Sequence, residues 1–538
     1  MAWNFATCFE AIVDAQPDEL AVVQGDRRYS WREFDDRAAR ISTALTGCGV
    51  GPDSKVAFYL HNGIEYLEAT YGAFKTRAAH VNVNYRYVED ELQYLLDNAD
   101  AEVVFFDGYL GDRLATVRDR LPKLKAAIQV DDGSPLLDGA RRYEDVVAGH
   151  EPAPRIERSN DDLYILYTGG TTGFPKGVMW RMEDLYFALV PPVYAIAGQV
   201  LPPSAEATGE VVVKVREAGM TPVHLPASPL MHGTGFMTSM QALMQGGAIA
   251  LLESRHFDAH ELWRVVQDER VTQMAIVGDA FAKPMVRALE DAERDSDPYD
   301  LSSVRAIISS GVMWTAEVKE ALMKRGMFVC LDSLGSSEGV GFAYQVDTPA
   351  AKPKTARFTI SENCRVLTED GREVTPGSEE TGLLSLGGPI PLGYYKDDKK
   401  TAETFRTFAG KRYSVPGDWA RVETDGTIML LGRGSVSINS GGEKIYPEEV
   451  EEALKSHAAV ADAIVVGVPD ERFGEAVTAV VALHQGEVAS GDELAEATKG
   501  RLAGFKRPRR VVVVDEVRRG PNGKADYRWA KSVAAEGT

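Results

Sequence analysis

The segment Tyr167–Val178 reads Tyr-Thr-Gly-Gly-Thr-Thr-Gly-Phe-Pro-Lys-Gly-Val and decides how the rest of the chain is interpreted. It follows an apolar run, Leu163–Tyr167, that predicts a buried strand. Glycines let backbone N–H groups point toward one centre, threonine hydroxyls add donors, and Lys176 adds a positive charge. This composition suits a polyanion, although a Gly/Thr turn with a solvated lysine explains the segment alone equally well. A Walker A motif is excluded, because no serine or threonine follows the lysine.

Strand-like and helix-like segments alternate on both sides of this loop. Ser30 and Glu33 form a capping-box signature at the start of a helix that extends to about Leu45. Strands are predicted at Lys55–Leu60, Val81–Asn84 and Val103–Phe106, and again at Ala248–Leu252, Gln273–Val277, Ala306–Ser309 and Phe328–Asp332. The alternation predicts two successive α/β units with parallel sheets.

Three other regions depart from this alternation. Residues 190–225 contain two Pro-Pro pairs and many small residues, and we interpret them as an irregular excursion that could act as a lid. Residues 357–434 have short strands separated by Gly, Pro and Asp turns, which predicts a β-rich subdomain. After Gly434 a new α/β pattern of about 100 residues begins, the size of a separate small domain.

Length, charge and cysteine usage exclude several classes of protein. A chain of 538 residues needs more than one core. The net charge of -21 argues against a nucleic acid or an anionic membrane as the main partner. The four cysteines lie far apart, which argues against disulfides and structural zinc and favours the reducing cytoplasm. The first sixteen residues lack a basic segment, so no signal peptide is expected, and no apolar run reaches the ~18–20 residues of a membrane span.

A second loop, Asp332–Gly341, offers a competing chemistry. Its Gly335-x-Ser337-x-Gly339 pattern matches the nucleophile elbow of serine hydrolases and thioesterases. An elbow requires a helix directly after the serine, and the glycines that follow disfavour one. A carboxylate such as Glu338 after a parallel strand instead suits Mg²⁺, which prefers oxygen ligands.

Three further stretches, each an ordinary turn or linker by itself, complete a pattern. They are Pro416-Gly417-Asp418-Trp419, Gly432-Arg433-Gly434-Ser435 with Ser440-Gly441-Gly442-Glu443-Lys444, and Pro521-Asn522-Gly523-Lys524. In this order, with the two loops above, they resemble the adenylate-forming superfamily of acyl-CoA synthetases, peptide-synthetase adenylation domains and luciferases. The resemblance covers essentially the whole chain. It implies an α/β fold: a large N-terminal domain of two α/β sheets plus a β-barrel subdomain (residues 1–433), and a small mobile C-terminal α+β domain (residues 434–538).

The resemblance also implies a set of site residues. ATP phosphates would be bound by Thr168, Gly169, Gly170, Thr171, Thr172, Gly173 and Lys176. The rest of the nucleotide would contact Gly311, Val312, Asp332, Ser333, Leu334, Gly335, Ser337, Asp418 and Arg433, with Asp418 on the ribose hydroxyls. Glu338 matches the Mg²⁺ ligand, His232 a gate near the acyl carboxylate, and Lys524 the lysine that drives adenylation. Gly441, Gly442 and Lys444 would line the tunnel for the pantetheine arm of CoA.

Two positions depart from the superfamily pattern. Leu334 replaces the aromatic residue that stacks on adenine, and Ser435 stands at the hinge where Asp or Lys is usual. Neither change removes a group that does chemistry.

The activity that the resemblance implies is an acyl-CoA synthetase, which converts a carboxylic acid to acyl-AMP with ATP and then transfers the acyl group to CoA. An adenylation domain for amino acids is disfavoured, because Leu230–Met240 contains no Asp to hold an amine. An adenylating enzyme with another acceptor and a serine hydrolase remain the alternatives. Asn82–Val88 and Gly432–Gly441 are similar to actinobacterial fatty-acyl and sterol side-chain CoA synthetases, which implies a steroid side-chain acid or a medium- or long-chain fatty acid. The resemblance allows a homodimer.

The acyl tunnel is expected along four segments, which are Met231–Met240, Val277–Ala282, Ser309–Met313 and Gly339–Tyr344. Gly, Ala and Met are frequent there, which suits a wide apolar pocket.

Overall fold

The computed structural model describes residues 2–168, 174–311, 314–351, 353, 357–378, 380–433, 438–445, 447–518 and 526–536. The helices are α1 (Phe5–Ala15), α2 (Trp31–Gly47), α3 (Ile64–Lys75), α4 (Glu89–Asn98), α5 (Gly111–Arg118), α6 (Tyr143–Ala148), α7 (Met182–Ile196), α8 (Thr208–Glu217), α9 (Gly233–Met244), α10 (Ala259–Asp268), α11 (Gly278–Arg294), α12 (Ala316–Met323), α13 (Asp398–Thr404), α14 (Pro447–Lys455), α15 (Gly491–Ala497) and α16 (Tyr527–Glu536). Within these ranges no helix is both long and apolar enough to cross a membrane.

The strands follow in chain order. They are β1 (Leu20–Gln24), β2 (Arg27–Ser30), β3 (Lys55–Tyr59), β4 (Ala79–Asn82), β5 (Ala101–Asp107), β6 (Ala126–Val130), β7 (Arg141–Arg142), β8 (Leu163–Thr168), β9 (Lys176–Arg181), β10 (Val223–Pro226), β11 (Ala248–Leu251), β12 (Gln273–Ile276), β13 (Ala306–Ser310), β14 (Val329–Ser336), β15 (Gly339–Asp347), β16 (Arg357–Ile360), β17 (Cys364–Leu367), β18 (Thr381–Leu386), β19 (Gly393–Tyr394), β20 (Phe405–Phe408), β21 (Lys411–Ser414), β22 (Asp418–Val422), β23 (Thr427–Arg433), β24 (Ile438–Ser440), β25 (Glu443–Ile445), β26 (Val460–Asp470), β27 (Gly474–Leu483) and β28 (Arg510–Val514).

The strands form three sheets in the described part of the chain. The first has the order β19-β9-β8-β4-β3-β5-β6-β7. The second has the order β2-β1-β11-β10-β12-β13-β14-β15-β16-β23-β22-β18-β21-β20, and β17 pairs with β18. The third has the order β25-β24-β27-β26, and β28 pairs with β27. The predicted fold class, α/β with a large N-terminal and a small C-terminal domain, is confirmed. The boundary between residues 433 and 434 stays a prediction.

The Gly/Thr loop joins two antiparallel strands of the first sheet. Thr168 at the end of β8 pairs with Lys176 at the start of β9. Strand β8 is buried because its apolar residues pack on both faces, and its neighbour β4 runs parallel to it. The loop is therefore held at both ends by a rigid sheet.

The second predicted loop is a β-hairpin. Strands β14 and β15 pair antiparallel, and Ser336 lies opposite Gly339 across the turn. Strand β15, not a helix, follows Ser337, so the strand–turn–helix geometry that a nucleophile elbow needs is absent from this described segment.

The region from 190 to 225 is more regular than the sequence suggests. Helix α7 continues through Pro191 and Pro192 to Ile196, and α8 follows at Thr208–Glu217. Prolines remove two backbone donors from α7, but burial of its apolar side chains offsets that cost. The prediction of an irregular excursion was wrong over these two helices.

Candidate active site

A cavity of about 1210 Å³ opens where strands of the first two sheets end. Of the predicted site residues, it is lined by Thr168, His232, Gly311, Ser333, Gly335, Ser337, Glu338 and Gly442. Loops beyond the carboxyl ends of parallel strands are the usual position of ligand sites in α/β sheets. The structure thus brings together residues that lie as far apart in the chain as Thr168 and Gly442.

Buried Asn82 joins two of these loops. Its side-chain amide donates to the Tyr167 carbonyl at 2.9 Å and to the Met231 carbonyl at 2.7 Å. Its own carbonyl accepts the Tyr167 N–H at 2.6 Å. One side chain therefore fixes the start of the Gly/Thr loop relative to the loop that carries His232.

The Glu338 carboxylate is fixed at the cavity wall by its neighbours. Tyr394 donates its hydroxyl to Oε1 of Glu338 at 2.7 Å. The Trp180 indole donates to the Ser337 carbonyl at 3.1 Å, and the Ser336 hydroxyl accepts the Glu338 N–H at 3.2 Å. A carboxylate oxygen held in this way is the kind of ligand that Mg²⁺ prefers.

The cavity also holds an ion-pair cluster between the N-terminal part and the third sheet. Nε2 of His232 lies 3.3 Å from the Glu443 carboxylate, and Arg86 lies 3.2 Å from the same group. Burial by itself would raise the pKa of Glu443, but the charge of His232, then those of Arg86 and Lys506, hold this pKa below its ordinary value. The carboxylate is therefore ionised and attracts His232 toward the turn that carries Gly442.

The sequence interpretation gave no role to Glu443 or Arg86. A signal was present, because Glu443 directly follows Gly441 and Gly442. Both glycines have positive φ values, 60° and 83°, which place them in the left-handed region. Such a turn between β24 and β25 presents the next side chain to whatever lies opposite, here His232.

Two of the predicted nucleotide-binding residues, Lys176 and Asp332, have charged side chains that pair with other side chains of the protein. Lys176 forms an ion pair with Asp397. The Asp332 carboxylate lies 3.5 Å from the Lys319 ammonium in the interior, and burial raises the pKa of Asp332 to about 6. Asp332 can therefore reach a nucleotide through its backbone only, with its side chain in this position.

The remaining predicted residues are placed by their strands or lie outside the described residues. Asp418 in β22 pairs with Arg433 in β23, Lys444 lies in β25, and Leu334 packs on the main apolar core. Gly169, Gly170, Thr171, Thr172, Gly173, Val312, Ser435 and Lys524 lie outside the described residues.

The acyl side of the cavity is mostly apolar. The predicted tunnel segments contribute Met231, Met237, Val277, Val340 and Ala343. Helix α7 forms a further wall that the sequence interpretation missed, with Phe187, Leu189, Pro192, Val193 and Ile196. The sequence did contain a signal for this wall, because apolar residues occupy nearly every position of α7. A helix that is apolar all round has a second face to bury besides the one that packs on the core.

Within the described ranges no group of three or more His, Cys, Asp or Glu side chains is arranged to hold a metal ion. Glu338 alone fits Mg²⁺ if the remaining ligands are water and substrate phosphate oxygens, as is usual for this ion.

Comparison with known proteins agrees with this geometry. The family model described as AMP-binding enzyme matches residues 9–395, and the model of the AMP-binding enzyme C-terminal domain matches residues 449–524. The chain is 44% identical to a 3-oxocholest-4-en-26-oate–CoA ligase of Rhodococcus rhodochrous, over 99% of this chain and 96% of that protein. It is 43% identical to a medium/long-chain-fatty-acid–CoA/3-oxocholest-4-en-26-oate–CoA ligase of Mycobacterium marinum, with the same coverage of both chains.

Among solved structures, an o-succinylbenzoate CoA synthetase from Bacillus subtilis shares the fold, with a TM-score of 0.78 and 21% identity over 97% of each chain. The chain therefore belongs to the AMP-binding enzyme family and is an acyl-CoA ligase that uses ATP and CoA.

Proposed function

We propose that the carboxylic acid is the side-chain acid of a steroid, with a medium- or long-chain fatty acid as the second candidate. The observation that carries this proposal is the apolar cavity beyond His232, walled by α7 and α9. At about 1210 Å³ the cavity exceeds the ~300–1,000 Å³ of common ligand pockets, which leaves room for a bulky acyl group beside a nucleotide. The substrates in the names of the two relatives support the same choice.

The reaction has two steps in one site. A carboxylate oxygen attacks the α-phosphorus of ATP, the bond to the bridging oxygen breaks, and pyrophosphate leaves with that electron pair. The CoA thiolate then attacks the acyl carbonyl, and AMP leaves. The Gly/Thr loop that begins at Thr168 would bind the ATP phosphates, and Asp418 would hold the ribose. Lys524 would neutralise charge at the reacting phosphate.

Glu338 is the proposed ligand of Mg²⁺. Bound there, the ion would neutralise charge on the phosphates. The contribution of the protein is to hold the carboxylate in place through Tyr394.

The His232–Glu443 pair belongs, in this proposal, to the second step. Glu443 draws the imidazole toward the β24–β25 turn, and this position would leave the acyl carbonyl open to the thiol. Domain rotation between the steps would bring Lys524 or this turn to the site in alternation.

A panel of acids tests the substrate proposal. Short, medium-chain, long-chain, aromatic and steroidal acids are incubated with ATP, Mg²⁺ and CoA, and the acyl-CoA formed is measured. We expect steroidal acids to have the highest kcat/KM. A higher kcat/KM for an unbranched fatty acid would contradict the steroid proposal and favour the second candidate.

The role of Lys524 is tested by separating the two steps. We expect Lys524→Ala to lose pyrophosphate release yet still form thioester from supplied acyl-adenylate, because the lysine acts on the phosphate. Equal loss of both steps would refute the assignment.

The serine-hydrolase alternative predicts that the protein hydrolyses esters or thioesters and that Ser337→Ala abolishes this hydrolysis. The β14–β15 hairpin argues against a serine hydrolase, and absence of hydrolysis by the unmodified protein would refute this alternative.

The proposal also includes a cytoplasmic location and a homodimeric assembly. A cytoplasmic location is supported by four free cysteines, three of them buried. A homodimer stays a prediction that light scattering of the purified protein would check.

A further inference from the structure

The far end of the acyl cavity can be located from the strand register. In the parallel strands β12, β13 and β14, Gln273 pairs with Ala306, and Ala306 pairs with Val329. These residues form one row at the amino ends of the strands, and all three line the cavity. Ser310 lines it at the opposite end of β13, four residues along, which corresponds to about 13 Å.

Helix α9 gives an independent measure of the same length. It starts after His232 and its C-cap is Gln245, thirteen positions later, or about 20 Å along the axis. A short turn then leads into β11 at the amino ends of the strands. The cavity therefore extends about 15 to 20 Å from His232 to a wall that contains Gln245.

The sheet face that carries Gln273 is turned toward this helix. His224 is the cross-strand neighbour of Gln273, so their side chains share a face. Nε2 of His224 contacts the Thr238 hydroxyl of α9 at 3.0 Å. Gln273 and Gln245 thus lie on the two sides of the same end of the cavity.

The two amides are polar groups in an apolar surrounding. Val193, Ile196 and Leu331 are among the other residues that line the cavity. Gln245 is 7% exposed, and its amide nitrogen makes one long hydrogen bond, 3.3 Å, to the Gln241 carbonyl. The Gln273 amide makes no hydrogen bond to any residue that the structure describes. Gln273 is partly exposed, so it is an acyl group filling the cavity that would cut both amides off from water. An amide shielded in this way is costly without a good partner, and a ligand oxygen would remove that cost.

We propose that Gln245 and Gln273 determine substrate specificity at the end of the acyl group opposite its carboxylate. This proposal rests on the proposed function. Their N–H groups would donate to a ketone oxygen about 15 to 20 Å from the carboxylate. The preferred substrate is then a long, apolar acid that ends in a hydrogen-bond acceptor, rather than one that ends in a methyl group. Discrimination of this kind is strong because a substrate without the oxygen leaves the amides unpaired.

Two matched pairs of substrates test this proposal. One pair is a steroid side-chain acid with a ring ketone and its deoxy analogue, and the other is a long-chain fatty acid and its (ω−1)-oxo form, which is also a ketone. For the unmodified enzyme we expect kcat/KM to be about tenfold or more higher for the ketone of the better-used pair. Gln245→Met and Gln273→Met, which conserve volume, should reduce this ratio toward one while the activity on the deoxy acid changes little.

Gln241→Met is the matched control, because Gln241 lines the cavity but its amide donates to the Leu189 carbonyl at 2.9 Å. We expect Gln241→Met to change kcat/KM by the same factor for the ketone and the deoxy acid of a pair. Thermal melting of each variant shows that the comparison is made on folded protein. Equal kcat/KM for ketone and deoxy acids, or an unchanged ratio in both Met variants, would overturn the distal contact alone. Activity restricted to short acids would overturn the proposed substrate class together with it.

Discussion

Glu443 is buried, ionised and placed between His232 and Arg86, and it belongs to the third sheet while its partners belong to the N-terminal part. An ion pair of this kind holds two parts of a molecule together only while both charges are present. The position of His232 and the position of the third sheet are therefore coupled through one carboxylate.

Glu443→Gln tests this coupling. We expect thioester formation from supplied acyl-adenylate to fall about tenfold or more, because His232 loses the charge that holds it, with pyrophosphate release changed less. Stopped-flow measurement of the two half-reactions separates them. Exposed Glu487, also in the C-terminal part, provides the control variant Glu487→Gln. A fall confined to pyrophosphate release would contradict the assignment.

Tyr394 is the second residue whose effect is measurable, because its hydroxyl donates to Glu338. Tyr394→Phe removes this hydrogen bond and leaves the carboxylate less well oriented. We expect the Mg²⁺ concentration for half-maximal activity to rise about three- to tenfold, which corresponds to the ~1 kcal/mol net contribution of a typical hydrogen bond.

Tyr395→Phe is the control for that measurement, because its hydroxyl donates to Asp100 instead. If both variants shift the Mg²⁺ requirement equally, the hydrogen bond to Glu338 has no special part in it.

At the scale of elements, the start of α9 is packed against the loop before it. A Cβ atom at Gly235 would lie 2.5 Å from the Pro229 carbonyl oxygen and 2.6 Å from that of Ser228. Since both are backbone atoms, they cannot move out of the way as the end of a flexible side chain can. The close approach fixes His232, which lies between them in the chain.

We expect Gly235→Ala to lower the free energy of unfolding by about 1–3 kcal/mol, the usual cost of overpacking. It should also reduce activity by displacing His232. Urea denaturation measures the first effect. Gly47→Ala in α2, where a Cβ would meet nothing within 4 Å, is the control and should be neutral or slightly stabilising. Equal stability of the two variants would contradict the packing argument.

Elements with local signals could be predicted from the sequence, and those that depend on distant partners could not. The Ser30–Glu33 capping box is present at α2, because both of its hydrogen bonds form within one turn. The strands on either side of the Gly/Thr loop also follow from local apolar runs. The helix through Pro191 and Pro192 was missed, because it depends on burial against elements far away in the chain.

The site divides in the same way. Thr168, Glu338 and His232 were predicted through short motifs, and all three line the cavity. The partner of His232 lies 211 residues away, and Gln245 and Gln273 reach the same cavity only because α9 packs on the second sheet. No local pattern encodes such pairings, since they are set by tertiary packing.

At the scale of the whole molecule, a buried cluster joins α14 and the segment before β28 to α4. The Lys506 ammonium lies 2.7 Å from Glu91 and 2.6 Å from Glu449, and the Ala503 N–H donates to Glu91 at 3.0 Å. Two carboxylates share one lysine here, beside the ring of Tyr87. Burial raises the pKa of Glu449 to about 8, because the charge of Lys506 offsets the loss of solvent only in part and the negative charge of nearby Glu91 raises this pKa further.

The sign of the pH dependence follows from this raised pKa. Glu449 stabilises the contact between the C-terminal part and α4 fully below its ordinary pKa of 4.5, and this stabilisation is lost as the pH rises through about 8. We expect hydrogen exchange at Ala503, corrected for its intrinsic rate, to become faster across that range. Glu449→Gln, which stays neutral, should flatten the dependence. The same pH dependence in that variant would assign the effect to another group, Glu91 first.

The pairing of β1 with β11 has a consequence for biosynthesis. Val22 lies opposite Ile249, so β1 is synthesised more than 200 residues before the strand with which it pairs. At ~5–20 residues per second, that interval is about 10 to 50 s. During this time the edge of β1 that later pairs with β11 is exposed to other chains on the same messenger RNA. Strand β1 is thus a segment of the nascent protein that a chaperone would protect until β11 is made.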